Sequence, residues 1–236
     1  MRFSSPETSC RMNPEVQIPF LPKYESIRAT DPDGTRRYDT PVGKVPSVTT
    51  ILSGSRDNSG LELWRESIGE EKAKQITEFA CWRGDMHHNN IENLLINGVQ
   101  PKLNMVSTQY WKSSAKFLTT IRRTILCESC IWHPKGFAGA FDCLAYLDDD
   151  TDQPTLLDWK TSARHRKPDK MYDYKVQVAA YAAALNFVYA RQGLKIRRAK
   201  IVVAIPNRSA QIEVVEEDAL TQLFEHFLFR LERFYQ

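Results

Sequence analysis

An aspartate and a lysine two positions apart are the first residues of this sequence that could do chemistry together. Asp158 and Lys160 lie in the run Leu156-Leu-Asp-Trp-Lys160, whose alternating apolar and polar residues predict a strand. On a strand they share one face, while Leu157 and Trp159 point the other way into the core. The carboxylate can bind a hard divalent cation, and the ammonium can orient water or stabilise charge that develops on a phosphate.

A second carboxylate for such an ion lies in the preceding predicted strand. Asp142 follows the small-residue run Gly136-Phe-Ala-Gly-Ala140, and pairing of the two strands would let Asp142 and Asp158 converge on one ion. Gly139 and Ala140 either let a backbone come close, or they mark a bulge or simple packing. An Asp-x-Lys pattern taken alone is more often a solvated strand end, so other residues must support the chemistry.

Two pairs of residues at helical spacing could complete the site. Gln177 and Tyr181 are four residues apart, so on a helix they face the same way. They suit contact with a base, a phosphate or the lysine, and the alternative is a buried tyrosine hydrogen-bonded to the glutamine. His88 and Glu92 have the same spacing. An imidazole beside a carboxylate could bind a metal ion, although such a pair is more often only a polar helix face.

The elements that must position these residues fall into two parts. Residues 23–124 are predicted to be mainly helical, after a hairpin around the turn Asp31-Pro-Asp-Gly34. Ser47 is a candidate N-cap for a short helix through Leu52, although Val48–Thr50 could equally form a strand. Further helices are predicted over Leu61–Asn97, with a break at Arg83-Gly84, and over Ser107–Ile121.

Residues 125–236 predict the core that carries the chemistry. Strands are expected at Ile125–His133, Gly136–Leu147 and Thr155–Lys160, with the last two joined by an acidic loop, Asp148–Asp152. A helix over Asp169–Arg191, strands at Ala199–Ile205 and Gln211–Val215, and an amphipathic C-terminal helix follow. Because the first of these helices links strands in β-α-β order, the pattern predicts an α/β fold with a central mixed sheet flanked by helices.

Composition narrows the class of protein further. The 236 residues are 42% hydrophobic and 26% charged, which is typical of a globular chain and excludes a disordered one. The net charge is only +3, so a polyanion would have to meet locally grouped basic residues or metal ions. No apolar run reaches the roughly 20 residues that cross a bilayer. Residues 1–22 predict a flexible leader, with a mitochondrial transit segment as the alternative, ahead of a single domain, residues 23–236.

Five cysteines, an odd number, do not form a disulfide framework. Cys127 and Cys130 form a CxxC pair, which suggests metal or redox chemistry. A metal site would need a second pair, and a redox pair would normally open a helix after a strand. We therefore favour structural thiols in a reducing compartment. The alternative, a CxxC metal or redox protein, predicts zinc or iron in the purified protein.

Five motifs in one order resemble a known nuclease family. They are Arg83-Gly-Asp-Met-His-His88, Glu128, Gly139-Ala-Phe-Asp142, Asp158-Trp-Lys-Thr161 and Gln177-x-x-x-Tyr181. Their order resembles the RecB-like branch of the PD-(D/E)XK nucleases, and most of all the mitochondrial genome maintenance exonuclease group with its phage and bacterial relatives. Pro46-Ser-Val-Thr-Thr-Ile-Leu52 and Leu61-x-x-Trp64 look like the same group. The resemblance implies a restriction-endonuclease-like core.

Carried over by position, the resemblance implies roles for individual residues. Catalytic roles fall on Asp142, Asp158, Lys160, Gln177, Tyr181 and Glu128. Metal binding falls on His88, Asp142, Asp158 and the backbone carbonyl of Trp159. Nucleic-acid binding falls on Arg83, Ser47, Thr49 and Thr161. The basic residues Arg164, Arg166 and Lys167 directly after the last motif could hold a nucleic-acid backbone or form a solvated loop.

The sequence departs from the family pattern at one segment. It contains Arg83-Gly-Asp85 where the family has Arg-Gly-Thr, and the doubled His87-His88 makes the register ambiguous. We choose His88 as the ligand because it lies four residues before Glu92, and His87 remains the alternative. Some RecB-like nucleases hold an iron–sulfur cluster on cysteines after the QxxxY helix. Since this sequence has no cysteine beyond Cys143, we expect none.

The implied function is a metal-dependent DNA exonuclease that acts on single-stranded ends in DNA replication, repair or recombination. Mg²⁺ is the expected cofactor, with Mn²⁺ as a substitute, and neither an organic cofactor nor a membrane is expected to be involved. Tyr110, Trp111 and Phe117 are candidates for stacking with bases. The alternatives are a structure-specific or restriction-type endonuclease and a non-catalytic DNA-end-binding module. We expect a monomer in the cytoplasm, or in the mitochondrial matrix of a eukaryote.

Overall fold

The computed structural model of the protein describes residues 21–31 and 35–236. A small antiparallel sheet comes first, with β1 (Arg28–Thr30), β2 (Arg36–Thr40) and β3 (Gly43–Pro46). Four helices follow, namely α1 (Val48–Gly54), α2 (Ser59–Ile68), α3 (Glu70–Asn97) and α4 (Met105–Leu118). The remaining elements are β4 (Ile121–His133), β5 (Phe137–Leu147), β6 (Asp150–Thr161), α5 (Pro168–Val188), a 3-10 turn (Ala190–Gln192), β7 (Arg198–Ala204), β8 (Gln211–Glu216) and α6 (Glu217–Phe234).

The larger sheet is mixed, and its strand order is β4-β5-β6-β7-β8. β6 and β7 run parallel, whereas the other three neighbouring pairs are antiparallel. A hairpin cannot join parallel neighbours, so the chain returns through α5, which crosses one face of the sheet. The predicted β-α-β unit and the α/β fold with a mixed sheet flanked by helices are therefore confirmed.

The two faces of this sheet are covered by different helices. On β6, Leu156 belongs to the core shared with α1, α5 and α6, while Leu157 and Trp159 belong to a second core shared with α3 and α4. The predicted burial of Leu157 and Trp159 is thus confirmed. Because side chains alternate along a strand, Asp158 and Lys160 lie on the same face as Leu156, the face covered by α5.

Burial on nearly all sides explains the Ala-rich sequence of α5. Its buried residues include Val178, Ala180 and Leu185 as well as the polar Gln177 and Tyr181. A helix that is apolar all round is typical of such a buried position. Two polar side chains in these surroundings need hydrogen-bond partners, because an unpaired buried polar group is costly.

The predicted helix break at Arg83-Gly84 is wrong, since α3 is continuous through it. The chain instead changes direction at Gly69, between α2 and α3, where φ is 85°. Glycine adopts this left-handed conformation without the strain that a side chain would cause. The apolar side chains of Ile76 and Phe79 are 45% and 47% exposed on α3.

The predicted acidic loop between β5 and β6 is also shorter than expected. Asp150 already belongs to β6, and it lies opposite Leu147 on β5. Only Asp148 and Asp149 lie between the two strands. Arg198 and Lys200 on β7 contact the carboxylates of Asp149 and Asp150. These ion pairs neutralise part of the negative charge that had suggested a longer loop.

Two residues of the segment that we predicted to be a leader, Leu21 and Pro22, contact the rest of the protein. Residues 1–20, most of that segment, lie outside the described residues. Leu21 is buried in the main core, and the carbonyl of Pro22 accepts a hydrogen bond of 2.8 Å from the Tyr189 hydroxyl. The turn 32–34 also lies outside the described residues, but the strands that flank it pair as predicted, with Arg28 opposite Tyr38. Within the described ranges, no helix has the length and apolar character needed to cross a bilayer.

The cysteines of the CxxC pair do not share a site. Cys127 packs in the core under α3 and α4, whereas Cys130 packs in a separate cluster beside the small sheet. Both are free and buried, and Cys127 lies opposite the buried Cys143 on β5. Cys10 lies outside the described residues. These positions favour structural thiols over metal or redox chemistry.

Candidate active site

The central sheet opens where the two predicted catalytic aspartates lie. Backbone pairing between β5 and β6 reaches Cys143 opposite Leu157, and the next two positions along the ladder are Asp142 and Asp158. Instead of a ladder bond, the N–H of Trp159 donates to Oδ2 of Asp142 at 2.7 Å. Because β5 remains paired with β4, and β6 with β7, the strands separate here and both carboxylates flank the gap.

An imidazole and two carboxylates form a cluster beside this gap. Donor atoms of His88, Glu128 and Asp142 all lie within 4.8 Å of one another. Nδ1 of His88 is 3.6 Å from Oδ1 of Asp142, while its Nε2 is 2.7 Å from the carbonyl oxygen of Trp159. A proton on Nε2 that bonds this carbonyl leaves the Nδ1 lone pair directed at the cluster. The three side chains therefore form a candidate metal site.

Glu128 enters the cluster through a strained backbone conformation. Its φ of 50° lies in the left-handed region, which non-glycine residues seldom adopt and which recurs at functional sites. Burial, together with the negative charges of Asp142 and Glu92, raises the pKa of Glu128 to about 7. A bound cation would reduce the repulsion between carboxylates that lie this close together. The donor set of two carboxylates and one imidazole thus fits a divalent metal ion.

The structure separates the two adjacent histidines. His87 is 2% exposed, and its Nε2 lies 3.1 Å from Oγ of Ser114 on α4. Burial lowers its pKa to about 3, so the ring stays neutral. His88, one position further along α3, points toward β6 instead, where it contacts the carbonyl of Trp159. The choice of His88 over His87 as the candidate ligand therefore agrees with their placement.

Asp158 is held by an ion pair rather than by the candidate metal cluster. It is 1% exposed, and Nζ of Lys160 lies 2.5 Å from its Oδ2. Burial raises the pKa of Asp158 despite the neighbouring ammonium. Burial alone would lower the pKa of Lys160, but the charges of Asp158 and Asp142 outweigh it and raise that pKa. Lys160 therefore stays charged. Among the described residues the clustered donor atoms belong to His88, Glu128 and Asp142, and metal binding by Asp158 stays a prediction.

The carbonyl of Trp159, predicted to be a metal ligand, is engaged in the structure. It lies within hydrogen-bonding distance of His88, while the N–H of the same residue holds Asp142. One peptide segment thus orients both the imidazole and a carboxylate of the cluster. Direct metal binding by this carbonyl stays a prediction.

Gln177 and Tyr181 lie on the inner face of α5, as their spacing predicted. Nε2 of Gln177 lies 3.3 Å from both Oδ1 of Asp158 and the Tyr181 hydroxyl. Burial raises the pKa of Tyr181 well above its ordinary value, so the phenol stays protonated. The structure shows the second alternative, a buried tyrosine hydrogen-bonded to the glutamine, and adds a contact of Gln177 with Asp158. Contact of this pair with a base, a phosphate or the lysine stays a prediction.

Gly139 is needed because the ring of Tyr181 lies directly against it. A Cβ at this position would lie 2.6 Å from Cε1 of Tyr181 and 3.3 Å from its Cζ. The small-residue run therefore makes room for a side chain from α5 rather than for a backbone.

Gly139→Ala should lower both stability and cleavage rate. Overpacking of this kind costs about 1–3 kcal/mol, and moving the Tyr181 ring breaks its contact with Gln177, for which we expect roughly tenfold slower cleavage. Thermal unfolding and initial cleavage rates would measure the two effects. Gly60→Ala is the matched control, since a Cβ there meets nothing within 4 Å. Equal behaviour of the two variants would contradict this interpretation.

Ser47 is a buried residue that caps a helix. It is 1% exposed, and its Oγ caps α1 by accepting from the N–H of Thr50 at 3.0 Å. The predicted N-cap and short helix are confirmed. Contact of Ser47 with nucleic acid stays a prediction. Thr49 is more accessible and its Oγ1 accepts from Arg36 at 2.7 Å.

Ser47→Ala should therefore lower the free energy of unfolding by about 1 kcal/mol, the usual value of an N-cap. Ser53→Ala in the same helix is the control. Ser53 is exposed and only bonds the carbonyl of Thr50, so its loss should cost less than about 0.5 kcal/mol. Urea titration of both variants measures the difference, and equal losses would show that the cap contributes nothing.

Arg83 and Thr161 join α3 to the end of β6. Nε of the buried Arg83 donates to Oγ1 of Thr161 at 3.1 Å, and its guanidinium carbon lies 5.1 Å from the ring centroid of Tyr110. Tyr110 and Phe117 are buried. Phe117 packs on Trp159 and the half-buried Trp111 packs against the same core, so the three aromatics that we considered for base stacking belong to the interior.

The predicted basic run borders an open groove. Arg164 and Lys167 are exposed. The guanidinium carbon of the half-buried Arg166 lies 5.4 Å from the ring centroid of Tyr174, which also lies 5.3 Å from Nζ of Lys160. Arg166 of the basic run therefore lies near Lys160, and contact of the run with nucleic acid stays a prediction.

Two cavities meet at the candidate site. One is an open groove of about 1360 Å³, and the other is a polar cavity of about 640 Å³ that contains Glu128 and Asp142. Their walls share Ala80, Cys81, Gly84, His88 and Lys160.

Sequence reasoning missed part of the wall of the polar cavity. Arg28, Arg36 and Tyr38 on the small sheet lie there. The only signal was the alternation Arg-x-Thr and Arg-x-Tyr in the two strands of the predicted hairpin.

Fold and site together define a restriction-endonuclease-like α/β protein. A profile described as the PD-(D/E)XK nuclease superfamily matches residues 61–235, and the chain belongs to that superfamily. The predictions of a nuclease, of a DNA substrate and of divalent-metal use are confirmed at this level. No curated protein matches the sequence significantly.

Solved structures show only distant similarity. The crystal structure of SSO0001 is 15% identical, covers 76% of this chain and 74% of its own, and has a TM-score of 0.40. A structure from Eubacterium rectale, named as an exonuclease candidate, is 14% identical, covers 86% and 76% of the two chains, and has a TM-score of 0.39. Similarity of this degree carries no argument about activity.

Proposed function

We propose that the protein is a Mg²⁺-dependent exonuclease that degrades DNA from single-stranded ends. The observation that carries this proposal is the meeting of the groove and the polar cavity at His88 and Lys160, between the acidic cluster and the Lys160–Asp158 ion pair. A strand that lies along both cavities would place a phosphodiester at these residues. We infer a part in DNA replication, repair or recombination, within the RecB-like branch.

His88, Glu128 and Asp142 would hold the divalent ion. When bound, it would neutralise the phosphate and lower the pKa of a coordinated water. Mg²⁺ prefers oxygen ligands in a small site, which the two carboxylates supply. Mn²⁺ should substitute, because it accepts the same oxygen and imidazole donors.

The chain's own residues orient and neutralise the reacting phosphate. Lys160, held charged by Asp158, would stabilise the negative charge that develops on the phosphate oxygens. Gln177 fixes the free oxygen of Asp158 and leaves Oδ2 to Lys160. Tyr181 closes the inner end of this network as a neutral phenol. The buried network thus holds one ammonium in place without any movement during the reaction.

The wall of the groove supports a preference for single strands. Apolar and aromatic side chains of α2 and α3, including Trp64 and Phe79, line the same groove as the basic residues Arg164 and Lys167. Aromatic rings can stack on bases of any sequence, while the basic side chains hold the phosphates. Bases in a duplex are already stacked on each other and cannot use such a wall.

Degradation of single-stranded DNA in Mg²⁺ tests the proposal. Linear strands labelled at either end should be shortened progressively, and circular strands of the same sequence should remain intact. Cutting of circles would show an endonuclease instead. Binding of ends without cleavage in Mg²⁺ or Mn²⁺ would show a non-catalytic end-binding module.

A further inference from the structure

The small N-terminal sheet presents two arginines to the polar cavity. On the paired strands, Arg28 lies opposite Tyr38 and Thr30 lies opposite Arg36. Residues directly opposite each other, and residues two apart on one strand, share a face of the sheet. Arg28, Arg36 and Tyr38 all line the cavity that contains the acidic cluster. Two guanidiniums therefore border the same space as the candidate metal site.

Cations on the other face of this sheet contact a carboxylate directly, whereas Arg28 and Arg36 do not contact one among the described residues. Arg37 and Lys44 contact the carboxylate of Asp31 at 2.5 and 2.6 Å. Among the described residues, no carboxylate lies within ion-pair distance of Arg28 or Arg36. The charge of Arg28 lowers the pKa of Glu128, so the acidic cluster compensates it in part. Neither guanidinium has a carboxylate as a direct partner, however, and their N–H donors are therefore suited to an anionic ligand.

Neutral contacts hold both side chains in place without removing their charge. The Arg36 guanidinium donates to Oγ1 of Thr49 at 2.7 Å, and the guanidinium carbon of Arg28 lies 5.6 Å from the ring centroid of Tyr38. Each guanidinium has five N–H donors, so most remain available for a ligand. A planar fork of donors matches the oxygens of a phosphate.

We propose that Arg28 and Arg36 bind the terminal phosphate of a nucleic-acid strand whose neighbouring phosphodiester lies at the acidic cluster. This inference rests on the proposed exonuclease function. The cavity of about 640 Å³ falls in the range of roughly 300–1,000 Å³ that encloses one small organic ligand, which suits a strand end. A terminal phosphate carries close to two negative charges and three acceptor oxygens, so it pairs with two guanidiniums better than an internal phosphodiester does.

The test compares single strands that differ only in a phosphate or a hydroxyl at the 5′ end, and a second pair that differs at the 3′ end. We expect kcat/KM of the wild-type protein to favour the phosphate by tenfold or more at one of the two ends. The double variant Arg28→Gln/Arg36→Gln should bring that ratio to within about twofold of one. Arg37→Gln, a neighbour on the other face of the same strand, is the matched control and should keep the wild-type ratio.

Three results would overturn the inference. The first is a wild-type protein without phosphate preference at either end, and the second is a double variant that keeps the preference. The third is a loss that is equal for all ends, which would assign the arginines to internal phosphodiesters. If the wild-type protein cleaves no strand, the same ratio is measured as binding affinities in Mg²⁺. A preference for phosphate would then support this site while the proposed function fails.

Discussion

Replacing Lys160 with methionine should slow Mg²⁺-dependent cleavage by about 10²–10³-fold, the usual effect of removing one preorganised group that stabilises transition-state charge. Nζ of Lys160 lies 2.5 Å from Asp158 and borders both cavities. Methionine keeps much of the aliphatic chain but removes the charge. The affinity for Mn²⁺ should not fall, because His88, Glu128 and Asp142 are untouched.

The same substitution should also destabilise the protein, and a second buried lysine separates the two effects. Removing one partner of a buried ion pair costs up to about 3–5 kcal/mol, less here because Asp158, whose pKa burial already raises, can take up a proton. Lys200→Met is the control. Lys200 is also buried and lies 2.6 Å from Asp149, but it lines neither cavity. It should lose stability and keep its cleavage rate. Cleavage rates, Mn²⁺ affinities and unfolding curves of both variants separate the effect on cleavage from the effect on stability. A Lys160→Met protein that cleaves at the wild-type rate would refute the mechanism.

The strands that carry the site could be predicted because each of their faces meets a different environment. Alternation along Leu156–Lys160 predicted that Leu157 and Trp159 face one core, and the structure confirms it. The convergence of Asp142 and Asp158 followed from pairing of consecutive strands. The end of the β5–β6 pairing at these two residues could not be predicted. It depends on β5 staying paired with β4 while β6 stays paired with β7.

Features that depend on contacts between residues far apart in the sequence could not be predicted from the sequence. Gly69 and Gly84 are both single glycines in a helical pattern, and only the backbone conformation of Gly69 breaks the helix. Glu128 takes its place among the candidate ligands through a left-handed conformation in a strand that periodicity predicts to be regular. Arg28 and Arg36 line the cavity because the small sheet packs against β5. Directly after that sheet, Ser47 forms an isolated bridge with Ala138 of β5.

Substituting the two adjacent histidines one at a time should give opposite results. His88→Ala removes one of three clustered donors and the contact that holds the Trp159 carbonyl. Changes that only touch the support of a ligand cost 10–100-fold in metal affinity or activity, so the loss of a ligand should weaken Mn²⁺ binding and cleavage by more than about 100-fold. The free energy of unfolding without metal should change little, because His88 is partly exposed beside charged neighbours.

His87→Ala should instead weaken the fold and leave the metal site intact. The His87 ring is buried against Ser114 of α4, so its removal leaves a cavity and an unpaired hydroxyl, at a cost of about 2–4 kcal/mol. Its Mn²⁺ affinity should stay within about threefold of the wild-type value, as should that of His226→Ala, an exposed histidine on α6. Calorimetric Mn²⁺ titration and urea unfolding measure the two properties separately. If only His87→Ala lost Mn²⁺ affinity, His87 and not His88 would be the metal ligand. The assignment of the buried structural role to His87 and of metal binding to His88 would then be wrong.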